Sequence, residues 1–122
     1  LAADPLVADR WLAAAATGLL ESRDGGRTWR ALDTGLRVYG LVFDPAVPER
    51  LYLATDSGVW LSQDGGRRAV RLVGSPQRIL AAVDAVALPQ GGTWLVAVAP
   101  NGDVYGSRDG GRTWSLLVPR TV

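Results

Sequence analysis

Ser22-Arg23-Asp24-Gly25-Gly26-Arg27-Thr28-Trp29 recurs unchanged as Ser107-Arg108-Asp109-Gly110-Gly111-Arg112-Thr113-Trp114. A weaker copy lies between them: Ser62-Gln63-Asp64-Gly65-Gly66-Arg67-Arg68-Ala69. Asp24 and Asp64 are 40 residues apart, and Asp64 and Asp109 are 45 apart. An eight-residue identity within 122 residues is not chance, and a period of 40 to 45 is that of one propeller blade of four short strands.

The flanks repeat too. An alternating strand precedes each copy: Gly18 to Ser22, Gly58 to Ser62, and Asp103 to Ser107. A more apolar strand comes before it: Arg10 to Ala16, Arg50 to Thr55, and Thr93 to Ala99. Near-continuous apolar character suits a strand covered on both faces. The two are joined by hairpin signals: Thr17-Gly18, Asp56-Ser57-Gly58 and Asn101-Gly102. Earlier still lies an inner strand, Val38 to Phe43 before Asp44-Pro45 and Ile79 to Leu88 before Pro89. Leu1 to Pro5 reads as the stump of the same strand in the first unit. The alanines of Ile79 to Leu88 favour a helix by propensity, but the repeat places a strand there. The expectation is an all-β chain of three four-stranded antiparallel meander blades, over about 1–36, 37–76 and 77–122, with no helix of consequence.

Each repeated stretch reads as a rigid turn between the third and fourth strands. The carboxylates of Asp24, Asp64 and Asp109 should accept backbone N–H bonds, with Ser22, Ser62 and Ser107 beside them. Gly26, Gly66 and Gly111 supply positive φ. Thr28 and Thr113 should begin the returning strand. Trp29 and Trp114 should pack into the blade, with the indole N–H finding a carbonyl. The middle copy has Arg68 and Ala69 in their place, so it should keep the Asp and Gly logic without the aromatic plug.

Composition narrows the chemistry. With no His, no Cys and no Met, there can be no disulfide, no Cys or His metal site, no thiol nucleophile and no Ser-His-Asp triad. All 13 basic residues are Arg. A net charge of +1 sets up no strong field for nucleic acid or acidic membranes. The long uncharged run Ala85 to Gly102 is interrupted by Pro, Gln, Gly and Asn, so no membrane helix is expected. Each turn carries one carboxylate, too few for a hard-metal loop, and Asp-Gly-Gly-Arg joins two strands rather than opening a helix as a phosphate loop does. No metal and no cofactor is expected. The chain begins at Leu1 rather than Met, so upstream residues are expected to have been removed, and a signal peptide could be one of the segments they held.

These residues resemble the Asp-box, or BNR repeat, of sialidases and related β-propellers. The stretch from Gly40 through Asp44-Pro45, Glu49-Arg50-Leu51-Tyr52 and Gly58-Val59-Trp60 to Gly66 is similar to repeats of sortilin-like receptors, xyloglucanases and photosystem II stability factors. That resemblance implies a propeller, with an extracytoplasmic location weakly favoured. It leaves function open, because one scaffold serves enzymes, receptors and assembly factors. The sialidase pattern is incomplete. No Arg-Ile-Pro occurs, Arg78-Ile79-Leu80 being the nearest approach. Glu21 and Glu49 do not read as buried partners of a Tyr. Xyloglucanases use an Asp from each of two propellers.

Three blades leave two apolar sides bare. Two copies closing a six-bladed ring, or the remaining blades of a longer propeller, would cover them. The tail Pro119-Arg120-Thr121-Val122 could complete the first blade of another copy by strand exchange. On the expected ligand face, Arg37, Tyr39 and Arg78 start inner strands, and Asp84 interrupts an apolar one. They are candidates for binding an anion or a carboxylated sugar, or are simply wet rim residues ion-paired to Asp33 or Asp56. Trp11, Trp60 and Trp94 read as blade packing. The expected role is a non-enzymatic scaffold that binds a protein or glycan. The alternatives are part of a glycoside hydrolase, or an assembly factor presenting Arg23, Arg27, Arg108 and Arg112.

Overall fold

The structure, a computed structural model, describes residues 1–15, 18–32 and 34–118. It is all-β, with three four-stranded antiparallel sheets and no helix among the described residues. The first sheet contains β1 (Ala2–Ala3), β2 (Trp11–Ala15), β3 (Gly18–Ser22) and β4 (Arg30–Leu32). The second contains β5 (Val38–Phe43), β6 (Leu51–Thr55), β7 (Gly58–Ser62) and β8 (Val70–Arg71). The third contains β9 (Ala82–Ala87), β10 (Thr93–Val98), β11 (Val104–Ser107) and β12 (Ser115–Val118). Strands follow one another in sequence order in every sheet, so each is a meander. The inner strand of the third blade begins at Ala82, later than the expected Ile79. The Leu80 N–H is diverted to the Thr55 carbonyl of the second blade, and only from Ala81, whose N–H bonds the Val98 carbonyl of β10, does the pairing begin. The tail expected to exchange strands, Pro119 to Val122, lies outside the described residues, as do Thr17 and Asp33.

The core sits between blades. Leu12 and Leu19 of the first blade meet Val38, Leu41, Phe43, Leu51 and Leu53 of the second. Tyr52, Ala54 and Val59 of the second meet Leu80, Val83, Leu95, Ala97 and Ala99 of the third. Strand pleating sends alternate β6 side chains to opposite neighbours, so every residue of β6 is buried. β2 and β10 each have a neighbouring blade on one face, and their other faces, with Trp11 and Ala13 or Trp94 and Val96, are half-buried.

Meander topology puts the strand connections alternately at two ends of the blades. The β1–β2 and β3–β4 connections and their counterparts form a turn face. The β2–β3, β4–β5, β6–β7, β8–β9 and β10–β11 connections form a loop face.

Candidate functional site

The turn face is a fixed frame. In the first blade Asp24 Oδ1 accepts from Thr28 N–H (2.8 Å) and from Ser22 Oγ (2.8 Å), and Oδ2 accepts from Thr28 Oγ1 (2.5 Å). Ser22 Oγ in turn accepts from Gly26 N–H (2.8 Å). The third blade repeats this through Ser107, Asp109, Gly111 and Thr113. The middle copy keeps the Asp64 and Ser62 bonds, while Arg68 supplies its backbone N–H (2.9 Å) in the place of the threonine pair. Two details differ from the sequence expectation. Thr28 and Thr113 belong to the turn rather than the returning strand, because their hydroxyls serve the Asp. Trp29 closes over its own turn, donating Nε1–H to the Gly26 carbonyl (3.0 Å), and stays 38% exposed. Trp114 does the same to Gly111 (2.9 Å) but also touches the core between the second and third blades.

Threonine bonds, first from the hydroxyl and then from the backbone, lower the Asp24 pKa to about 2. The same bonds hold Asp109 well below the usual carboxylate range. These acids therefore stay ionised and hydrogen-bonded to their own turns.

The Pro turn that ends the inner strand was legible in the sequence, but the bonding repeated inside it was not. Asp4-Pro5 and Arg10 reappear 40 residues on as Asp44-Pro45 and Arg50. Asp4 Oδ1 caps Leu6 and Val7 N–H, and Asp44 Oδ1 caps Ala46 and Val47 N–H. Asp9 and Glu49 take positive φ (63° and 64°), and their carbonyls receive Gly25 and Gly65 N–H. Arg10 is the hub, and its guanidinium bonds Asp4 (2.8 Å), Glu21 (3.0 Å), Glu49 (3.0 Å) and the Gly65 carbonyl (2.9 Å). It thereby joins the first blade to the second. Burial opposes ionisation of Glu21, but bonds from Arg30, Arg10 and Arg23 outweigh it and the pKa falls. Glu21 is thus buried, as the sequence did not suggest, with arginines rather than a tyrosine around it. The buried tyrosine is Tyr52. Its hydroxyl donates to Asp44 Oδ2 (2.7 Å), which also accepts from Thr93 of the third blade (3.2 Å). Burial first, then that carboxylate, pushes Tyr52 up to about 12.

The loop face carries the candidate site. Gly58 N–H bonds the Arg78 carbonyl and Leu80 N–H bonds the Thr55 carbonyl, which pins the β8–β9 segment to the β6–β7 hairpin. Arg71 stiffens the same segment by bonds to the carbonyls of Ser57, Val73 and Ser75. Arg78 then reaches the third blade, where Nη1 donates to Asp103 Oδ2 (3.0 Å) and Tyr105 OH (3.0 Å). Asn101 Nδ2 adds a bond to the same Asp103 oxygen (3.2 Å). The guanidinium carbon lies 6.0 Å from the Tyr105 ring centre. Arg78 is thus ion-paired to Asp103 and not to the expected Asp56, while the other expected partner, Asp33, lies outside the described residues. The cluster offers a cationic donor, a phenol, a carboxylate and an amide on one part-exposed surface. Of the other sequence candidates, Arg37, Tyr39 and Asp84 are exposed, and Asp84 Oδ1 accepts the Ala85 N–H (2.8 Å). No hydrogen bond joins these three to the Arg78 cluster among the bonds described, and Tyr105, Asp103 and Asn101 are the additions the structure makes. Among the described residues no group of three or more metal-ligating side chains occurs.

No protein-family model and no curated protein matches the sequence. Solved structures do. The chain is similar to an ancestral GH74 enzyme (TM-score 0.75, 19% identity, 95% of this chain and 17% of that one). It is similar to the GH74 xyloglucanase of Xanthomonas campestris (TM-score 0.66, 22% identity, 98% and 23%). It is also similar to YCF48 solved with a D1 peptide (TM-score 0.63, 18% identity, 88% and 36%). The three sheets are β-propeller blades, and the chain spans between about a sixth and a third of the length of these relatives.

Proposed function

We propose that these blades are a non-enzymatic binding scaffold that recognises a protein or glycan on the loop face. The observation that carries this is the Arg78–Asp103–Tyr105–Asn101 cluster, in which segments from either side of a blade joint meet in one polar surface. Arg78 suits a carboxylate or another anion, and Asp103 and Asn101 suit hydroxyl or amide donors. Support for binding over hydrolysis comes from the carboxylates. Both Glu side chains are bonded to Arg10 on the turn face, and Asp103 is held by Arg78. Hydrolysis of a glycosidic bond needs one carboxylic acid that carries a proton to the leaving oxygen, and an arginine partner holds a carboxyl group ionised.

The test is calorimetric titration with a xyloglucan oligosaccharide and, separately, with a peptide ending in a free carboxylate. Reducing-sugar release is followed in parallel. The expected result is saturable binding of one probe, weakened at least tenfold by Arg78→Ala, with no sugar release. Binding that ignores Arg78→Ala moves the site elsewhere. Sugar release abolished by Asp103→Asn supports the second reading, a part of a glycoside hydrolase, which the likeness to GH74 structures favours. Peptide binding lost on replacing Arg23, Arg27, Arg108 and Arg112 together supports the assembly-factor reading.

A further inference from the structure

Arg50 stands in the second blade where Arg10 stands in the first. Each precedes the residue that pairs with its turn serine, Trp11 with Ser22 and Leu51 with Ser62. Arg10 is held by three carboxylates, Asp4, Glu21 and Glu49, and also reaches the Gly65 carbonyl. Arg50 is served differently. Its counterpart of Asp4 is Asp44, but Asp44 Oδ2 lies 3.7 Å from Arg50 Nη1 and already accepts from Tyr52 and Thr93. The counterpart of Glu21 is Leu61, which precedes Ser62 as Glu21 precedes Ser22. The counterpart of Glu49 is Thr93, because Leu95 pairs with Ser107 as Leu51 pairs with Ser62. Two of the three acids are therefore replaced at the second joint. Arg50 Nε is buried there without a hydrogen-bond partner. Folded proteins pair nearly all such donors, so this one calls for an acceptor.

The turn across the second joint is open at the matching place. Around Gly65, Arg10 Nη2 and Glu49 Oε2 occupy the space that a Cβ would take. Around Gly110, nothing lies within 4 Å of that position. The backbone agrees. Gly25 and Gly65 donate their N–H groups to the carbonyls of Asp9 and Glu49, whereas the Gly110 N–H has no acceptor among the described residues. Gly65 is buried and Gly110 is half-buried. Both blades that meet at this joint are complete four-stranded sheets.

We infer that the second joint binds a carboxylate on the turn face, between Arg50 and the Gly110 turn. The ligand's oxygens accept from Arg50 Nε–H and from Gly110 N–H. Glu21 and the Glu49 carbonyl do the same for Arg10 and Gly65 at the first joint. The planar fork of arginine suits a carboxylate. The charge of Asp44 nearby disfavours a doubly charged phosphate. The carboxylate comes either from a small free acid or from an acidic side chain of a partner protein. This site lies at the opposite end of the blades from Arg78 and does not rest on the loop-face reading.

The test is NMR titration of the isotope-labelled 122-residue chain, following the Arg50 Nε–H and Gly110 N–H signals. The probes are sodium acetate and acetyl-Gly-Glu-Gly-amide. Sodium chloride and acetyl-Gly-Gln-Gly-amide are the controls, at equal ionic strength. Both signals should move together and saturate with a carboxylate probe and not with its control. Saturation by acetate identifies a small free acid as the ligand. Saturation by the glutamyl peptide alone identifies a partner's side chain. Arg50→Gln should abolish the Gly110 shift, and Arg78→Ala should leave it unchanged. Leu61→Glu supplies the acid from within and should weaken probe binding at least tenfold. If either joint variant does not fold, the wild-type titration still decides. Signals that stay in place or move equally with the controls would overturn the inference. So would a Gly110 shift that survives Arg50→Gln or disappears in Arg78→Ala.

Discussion

At the scale of single residues, the acids of this chain are mostly structural. Asp24 and Asp109 are ionised acceptors whose pKa values are depressed by threonine bonds. A depressed carboxylate stabilises the fold above its unfolded pKa of about 3.9, and that contribution fades as pH falls through the folded value. The melting temperature should therefore be level from about pH 7 to pH 5 and fall between about pH 4 and pH 2. Asp24→Asn should lower it at neutral pH and flatten the acid slope, which a series of thermal melts would read. The middle turn offers the converse test. Arg68 gives Asp64 a backbone bond, but Thr28 and Thr113 give Asp24 and Asp109 a second, hydroxyl bond. Arg68→Thr should supply it and stabilise by about 1 kcal/mol in urea unfolding.

At the scale of elements, the repeat made most of the fold readable before any coordinates. Val38 to Phe43, Gly18 to Ser22 and Gly58 to Ser62 are strands with the expected bounds, because alternation and the Asp-Gly-Gly turns mark both ends. What stayed hidden was the bonding inside the Pro turn that ends the inner strand. Its Asp4-Pro5 and Asp44-Pro45 members are legible, but the third blade has Leu88-Pro89 at that place, so the series breaks. The linkage of Asp44 to Tyr52 and Thr93 depends on how two blades meet, which no local pattern records. Tyr52→Phe would leave a buried acceptor one bond short and should cost about 1 to 2 kcal/mol. The Arg78 cluster was half legible for the same reason. Arg78 itself stood out at a strand start, whereas Asp103 and Tyr105 lie 25 and 27 residues on and meet it only through the packing of the third blade.

At the scale of the whole molecule, the two joints are built differently. The first combines an apolar core around Leu12, Phe43 and Leu51 with the Arg10 hub. The second relies on Leu80, Leu95 and the apolar part of Tyr52. Glu21→Gln removes a buried carboxylate held by Arg10, Arg23 and Arg30 and leaves the buried Arg10 guanidinium less compensated. It should cost roughly 3 kcal/mol. Leu95→Ala in the second joint should cost a similar amount through the cavity it opens, roughly 3 kcal/mol. Hydrogen exchange on both variants should show whether each loss loosens its own joint first or unfolds all three blades together.

The uneven spacing of the repeat has a practical meaning. The β8–β9 connection runs from 72 to 81 and the β10–β11 connection from 99 to 103, against 33 to 37 and 56 to 57 for their counterparts one blade earlier. The added length is therefore on the loop face. The Asp-Gly-Gly turns keep one length throughout, and those of the second and third blades seat Leu32 and Leu72 from the blade before. A peptide grafted at Asn101-Gly102 would project from the scaffold and leave the blade spacing intact. The same graft at Gly65-Gly66 would wedge two blades apart. The molecule thus has one edge on which new sequence can be displayed and another that has to stay as it is.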